Sequence, residues 1–157
     1  MARIASLSEL TSRLAEARAG GRRLVLANGA FDLLHVGHVR YLAGAKEHGD
    51  ILVVAVNADT SVRRSKGPGR PVVPEGERAE LVAALRVVDW VLIFAEDTVA
   101  HVIRALRPDV HAKGTDYTEN SVPEAALVRS LGGRVVITGD PKDHATTRTL
   151  ERLRLRG

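Results

Sequence analysis

The sequence predicts an α/β protein built on one doubly wound parallel sheet, and three observations point there. Short apolar runs rich in β-branched residues alternate with helical stretches along the chain. The runs are apolar at successive positions, as from Ile51 to Val56, which marks strands covered by helices on both faces. Polar and glycine-containing segments follow directly after the apolar runs, where the ligand loops of such a sheet lie.

Taken in order, Ser6 and Glu9 have capping-box spacing and start a first helix that Gly20-Gly21 closes. Leu24 to Ala27 is the first expected strand. A helix from His38 to His48 packs Val39, Leu42 and Ala45 and stops at Gly49, and Ile51 to Val56 is the second strand. Ser61 to Val73 reads as a long polar loop containing Gly67-Pro68-Gly69 and is expected to move. Pro74 opens a helix through Leu85, and Trp90 to Phe94 is the third strand. Asp97 is expected to cap a helix whose Val99, Val102, Ile103 and Leu106 share one face until Pro108 ends it. Val110 to Ala112 is a short fourth strand, Pro123 to Leu131 a helix broken by Gly132-Gly133, Arg134 to Ile137 a fifth strand, and Thr146 opens the last helix. Right-handed crossovers then give a single Rossmann-like domain, a five-stranded parallel sheet flanked by helices, with 22–157 as its core and 1–21 as an N-terminal helical extension.

The 157 residues suit one domain, and with 45% apolar and 27% charged residues the chain is not extensively disordered. Aromatic residues are only 3%, so the core must be aliphatic. The net charge of +4 raises nucleic acid as a partner, but the basic clusters are short. Arg63-Arg64-Ser65-Lys66 with Arg70 is one, and Arg148, Arg152, Arg154 and Arg156 form the other. Neither is interleaved with aromatics that stack bases, so no nucleic acid is expected. No apolar run approaches the roughly 20 residues of a membrane span, and the N-terminus lacks a signal-peptide pattern. Together with the absence of cysteine, this sets the expectation of a cytoplasmic protein with no membrane partner.

The most informative stretch is His35-Val36-Gly37-His38, where a strand ends and a helix begins, just after Asn28-Gly29-Ala30-Phe31-Asp32. A helix N-terminus presents unpaired N–H groups and the positive end of its dipole, which together favour an anion. Two imidazoles add donors there, and Gly37 lets a polyphosphate approach the main chain. The competing readings are a zinc pair and two incidental surface histidines. Zinc lacks partners, since there is no cysteine and His48, His101, His111 and His144 are scattered. Neither a Gly-x-x-x-x-Gly-Lys-Ser/Thr loop nor a Gly-x-Gly-x-x-Gly follows the first strand, which disfavours a P-loop NTPase or a dinucleotide oxidoreductase.

Gly29 to His38 resembles the HxGH signature of the cytidylyltransferase-like nucleotidyltransferases, and Ala145-Thr146-Thr147 resembles their second, Ser/Thr-rich turn. Leu26-Ala27-Asn28-Gly29, Val56-Asn57-Ala58-Asp59, Lys66 to Val72, Val88 to Val91 and Lys113-Gly114-Thr115-Asp116-Tyr117 are similar to the heptose 1-phosphate adenylyltransferase branch, which also occurs as the C-terminal half of a bifunctional heptose synthase. The chain departs from that pattern at Thr115, where a glycine is usual, at Ala145, where a serine is usual, and at Asp143, where a glycine is common. Asp140 stands where glycerol-3-phosphate cytidylyltransferases tend to have Arg.

The resemblance implies transfer of AMP from ATP to a sugar 1-phosphate, D-glycero-D-manno-heptose 1-phosphate, with Mg²⁺ as cofactor and a homodimer as the assembly, Trp90 serving as an interface element. The alternatives it leaves are CMP transfer to an alcohol phosphate, AMP transfer to FMN, and a nucleotide-binding module without catalysis. His35, His38 and Lys66 are the implied catalytic residues; an ordinary exposed lysine is the other reading of Lys66. Asn28, Gly29, Ala30, Phe31, Gly37, Lys113, Gly114, Asp116, Thr146 and Thr147 are implied to bind the nucleotide, although N-capping alone explains part of the Thr146 signal. Asn57, Arg70, Arg78 and Asp32 are implied on the acceptor side. Asp32 is also a candidate to hold Mg²⁺ through water, or simply to stabilise a turn. Arg78 has the competing reading of a surface ion pair with Glu75 or Glu77.

Overall fold

Strand and helix alternate from β1 (Arg3–Ile4) and α1 (Leu7–Ala19) through β2 (Leu24–Gly29), α2 (Val36–Lys46) and β3 (Ile51–Asn57). Two helices, α3 (Asp59–Lys66) and α4 (Glu75–Ala83), precede β4 (Trp90–Phe94), and α5 (Ala100–Leu106) leads to β5 (Val110–Lys113). The chain closes with α6 (Ala125–Ser130), β6 (Arg134–Ile137) and α7 (Thr146–Arg154). The structure is a computed structural model that describes residues 1–141 and 146–155, with the side chains of Thr146 and Thr147 outside that description.

All strand pairs are parallel, in the order β1-β4-β3-β2-β5-β6. Among the described residues the sheet therefore has six strands, not the five expected. The additional one is β1, which pairs Arg3 with Trp90 and Ile4 with Val91 at the sheet edge. Two exposed residues carry no apolar run to announce a strand. Tertiary hydrogen bonds hold it instead, Ala2 N–H to Ala83 O and Ala5 N–H to Val91 O, each 2.9 Å. Residues 1–21 are thus a strand and a helix of the sheet layer system rather than a helical extension.

The expected loop from Ser61 to Val73 is the second correction, because its first part is α3. Only Ser61 and Val62 of that helix are buried, so its apolar periodicity is too weak to see. Ser61 Oγ donates to Ala58 O at 3.0 Å and Glu75 Oε2 accepts from Asp59 N–H at 2.6 Å, anchoring the first turn. Asp97 does not cap α5. Val99 occupies that position without a side-chain bond, and Asp97 instead accepts from Arg64 Nε at 2.7 Å.

Alternate residues of each strand feed opposite cores. Leu24 and Leu26 join α1, α5 and α6 on one face, through Leu10, Leu14, Ile103, Ala125 and Val128. Val25 and Ala27 join α2 and α4 on the other, through Leu42, Ala45, Ala79 and Val82. Trp90 packs at the edge of the first core with the guanidinium groups of Arg3 and Arg13 5.7 and 5.9 Å from its ring, so its own chain engages the ring expected at an interface. From β2 the chain steps to β3 and β4 on one side and returns to β5 on the other. The strand order reverses at β2, and a crevice opens above its C-terminal end.

Candidate active site

A cavity of about 530 Å³ occupies that crevice. Its wall begins at the end of β2 with Asn28 and Gly29 and continues through Ala30 and Phe31. The loop then turns through two left-handed residues, Phe31 at φ 52° and Leu33 at φ 51°. Non-glycine residues pay for that conformation with strain, so the surroundings must hold it. Asp32, between them and only 2% exposed, supplies the hold. Its carboxylate accepts from Arg70 Nε at 2.9 Å, from Val72 N–H at 3.0 Å and from Val73 N–H at 3.0 Å. Burial raises the Asp32 pKa, but these donors outweigh it and hold the carboxyl below its ordinary value.

His35 is the N-cap of α2, with extended backbone at φ −138°, ψ 172°. Its Nδ1 accepts from Gly37 N–H at 3.2 Å, and His38 Nδ1 accepts from His35 N–H at 3.3 Å. Each ring thereby satisfies a backbone N–H at the helix start that would otherwise lack a partner. An accepting Nδ1 carries no proton, so each neutral ring is the Nε2–H tautomer. The rings stack at 3.9 Å between centroids, and Phe31 lies 5.3 Å from His38. Burial, then the neighbouring His35 and Lys66 charges, depress the His38 pKa to about 4. At neutral pH His38 is an uncharged donor.

Beneath the cavity Asn28 is fixed from below. Lys113 Nζ donates to Asn28 Oδ1 at 3.4 Å, and since lysine only donates, His111 Nε2 at 2.9 Å from the same oxygen must be a donor too. His111 is fully buried, its Nδ1 has no partner among the described residues, and burial followed by the Lys113 charge drives its pKa to about 3. Lys113 sits 4.6 Å from the Tyr117 ring, and burial lowers its pKa against the opposing pull of Glu124 and Asp116. Thr115 Oγ1 donates to Asp140 O at 2.7 Å, and Asp140 pairs with Arg40. The residue that replaces the usual glycine thus ties the loop after β5 to the loop after β6.

The cavity brings together His35, His38, Lys66, Asn28, Gly29, Ala30, Phe31, Gly37, Asn57, Lys113, Gly114 and Asp116. It does not include Asp32, Arg70 or Arg78. Arg78 is fully buried, neither a surface ion pair nor a ligand in the cavity. Its guanidinium donates to Val73 O at 2.8 Å, to Ala30 O, and to Asp59 Oδ1 at 2.7 Å. Glu75 is engaged with Asp59 N–H instead. The buried Asp32 and Arg78, with the partly exposed Arg70, form a brace behind the wall. Thr146 and Thr147 open α7, while Asp143 and Ala145 lie outside the described residues. Sequence reasoning missed Tyr41, Asp97, Thr98, Glu124 and Thr138 in the wall and His111 below it. Tyr41 and Thr138 look like ordinary helix and strand-end residues, whereas Glu124 could have been marked as a carboxylate opening a helix after a strand.

A parallel doubly wound sheet with an HxGH helix start at its switch point, polar loops converging above it, defines the class: an α/β nucleotidyltransferase domain. The family described as Cytidylyltransferase-like matches residues 26–151, and the chain belongs to that family. Among relatives, the Bifunctional protein HldE of Geotalea uraniireducens is 47% identical over 98% of this chain and 31% of its own length. That of Pelobacter propionicus is 49% identical over 87% of this chain and 28% of its own length. The chain thus spans about three tenths of these relatives. A lipopolysaccharide core biosynthesis protein from Thermoplasma volcanium superposes with a TM-score of 0.66 at 31% identity, covering 78% of this chain and all of that one. Pantothenate synthetase from Thermus thermophilus shares the fold, with a TM-score of 0.61 at 18% identity, over 86% of this chain and 60% of that one.

Proposed function

We propose that this domain transfers AMP from ATP to D-glycero-D-manno-heptose 1-phosphate, giving an ADP-sugar and pyrophosphate. The observation that carries the reading is the stacked His35–His38 pair, two Nε2–H imidazoles at a helix start on the wall of a cavity that Lys66 also lines. A phosphate oxygen of the sugar attacks the α-phosphorus in line as the bond to the bridging oxygen breaks, and pyrophosphate leaves with that electron pair. No proton need be removed from the nucleophile. The protein's task is to place two anions together and stabilise charge on the non-bridging and leaving oxygens. The Nε2–H groups of His35 and His38 suit that task, since the backbone N–H groups of His35 and Gly37 are already taken up by the rings' Nδ1 atoms. Lys66, at the last position of α3, adds a point charge.

Relatives named HldE, matched over nearly the whole chain, support the heptose acceptor over glycerol 3-phosphate or FMN. Mg²⁺ belongs to this reading as the ion carried by the nucleotide's phosphates. Asp32 does not fit the role of its ligand, because both oxygens already accept protein donors behind the wall. Among the described residues no group of three or more His, Cys, Asp or Glu is placed to hold a metal. A pyrophosphate-release assay pairing ATP or CTP with heptose 1-phosphate, glycerol 3-phosphate or FMN tests the proposal. Turnover is expected with ATP and the heptose phosphate, and turnover with CTP and glycerol 3-phosphate alone would refute it.

A further inference from the structure

Glu124 sets itself apart from the other residues of the wall. It occupies the N-cap position of α6, yet its side chain makes no capping bond. The residue is 8% exposed, and its Oε2 is buried with no hydrogen-bond partner among the described residues. Lys113 is near enough to feel its charge but forms no ion pair with it among the described contacts. A carboxylate oxygen withdrawn from water without a donor is expensive, and nothing in the packing of α6 requires one. A ligand that supplies donors accounts for its presence beside the cavity.

The surroundings define that ligand. Thr98 and Asp97 share the wall, and their neighbour Val99 packs in the same core as Ala125, on the face of the sheet opposite α2. Asp97 is paired with Arg64, which leaves Glu124 as the carboxylate here that can accept hydroxyl donors and disfavour phosphate, while the histidines of α2 and Lys66 suit phosphate. We propose that Glu124 is a specificity-determining residue that accepts hydrogen bonds from the hydroxyls of a bound sugar. This rests on the reading that a nucleotide and a phosphosugar share the cavity, and either the ribose or the acceptor ring supplies the hydroxyls.

Calorimetry on the whole chain distinguishes the two sources. ATP is compared with 2′-deoxy-ATP and 3′-deoxy-ATP, and mannose 1-phosphate with its 2-deoxy analogue, for the unmodified protein, Glu124→Gln and Glu124→Ala. At least one missing hydroxyl is expected to weaken binding to the unmodified protein about ten- to a hundredfold. That penalty should vanish in Glu124→Ala, and the arm in which it vanishes identifies the sugar. Glu124→Gln keeps the size and reach of the side chain, so ligand binding rather than melting temperature is expected to change. A penalty that persists in both variants, or a lower melting temperature with unchanged binding, overturns the proposal. So does failure of the unmodified protein to bind any of these ligands. Lack of turnover with heptose 1-phosphate would sink the proposed reaction while leaving the binding ratios readable.

Discussion

At the scale of single residues, the site depends on which nitrogen of each histidine does what. Nδ1 of His38 caps the backbone, so in the proposed reaction Nε2–H is the donor offered to the substrate. Asparagine reproduces the first function and glutamine the reach of the second. His38→Asn is therefore expected to fold normally and lose about a hundredfold or more in kcat, while His38→Gln recovers part of it, as steady-state kinetics and thermal melting will show. Protonating His38 would put a hydrogen on Nδ1 facing an N–H donor, consistent with its pKa of about 4. Between pH 6.5 and 4 the unfolded chain binds a proton at this position that the folded chain refuses, so stability rises with pH through that window and is lost below it. His111, depressed to about 3, extends the loss further down. Urea denaturation at pH 4, 5 and 7 should show the decline, and His38→Gln should flatten its upper part. The two histidines at the start of α2 were legible in the sequence because their types and spacing stand out where a strand gives way to a helix. His111 was not, because a lone histidine inside an apolar run gives no sign that it supports Asn28.

At the scale of elements, Asp32 couples the loop before α2 to the segment after α3. Removing its charge leaves the Arg70 guanidinium and two backbone N–H groups short of an acceptor. Asp32→Ala should cost about 2–4 kcal/mol of stability, measured by urea denaturation, and raise KM as the wall loses its left-handed turn. If instead Asp32 served only as a ligand to a metal, stability would not change. The long strands and amphipathic helices were readable because burial on both faces writes continuous apolar runs. β1 and α3 were not, since an edge strand of two exposed residues and a mostly polar helix owe their existence to partners distant in sequence. The inward placement of Arg78 was not legible for a related reason. A basic residue in a polar segment does not reveal that it faces inward, where Arg78 ties together Ala30, Val73 and Asp59.

For the whole molecule, the order of elements places every phosphate-suited loop at one end of the sheet, and that much followed from the alternation of runs and helices alone. The placement of Glu124 in the same cavity wall as His35, His38 and Lys66 required the three-dimensional packing of α5 against α6. Among the described residues no helix is long and apolar enough to cross a membrane. A homodimer is expected, and light scattering should report about twice the 16.9 kDa chain mass. The central claim is adenylyl transfer to a sugar 1-phosphate, and phosphorus NMR of the protein with ATP and heptose 1-phosphate tests it most directly. The paired signals of a pyrophosphate-linked ADP-sugar should grow in step with free pyrophosphate. Release of ADP or inorganic phosphate with the sugar phosphate unchanged would contradict it.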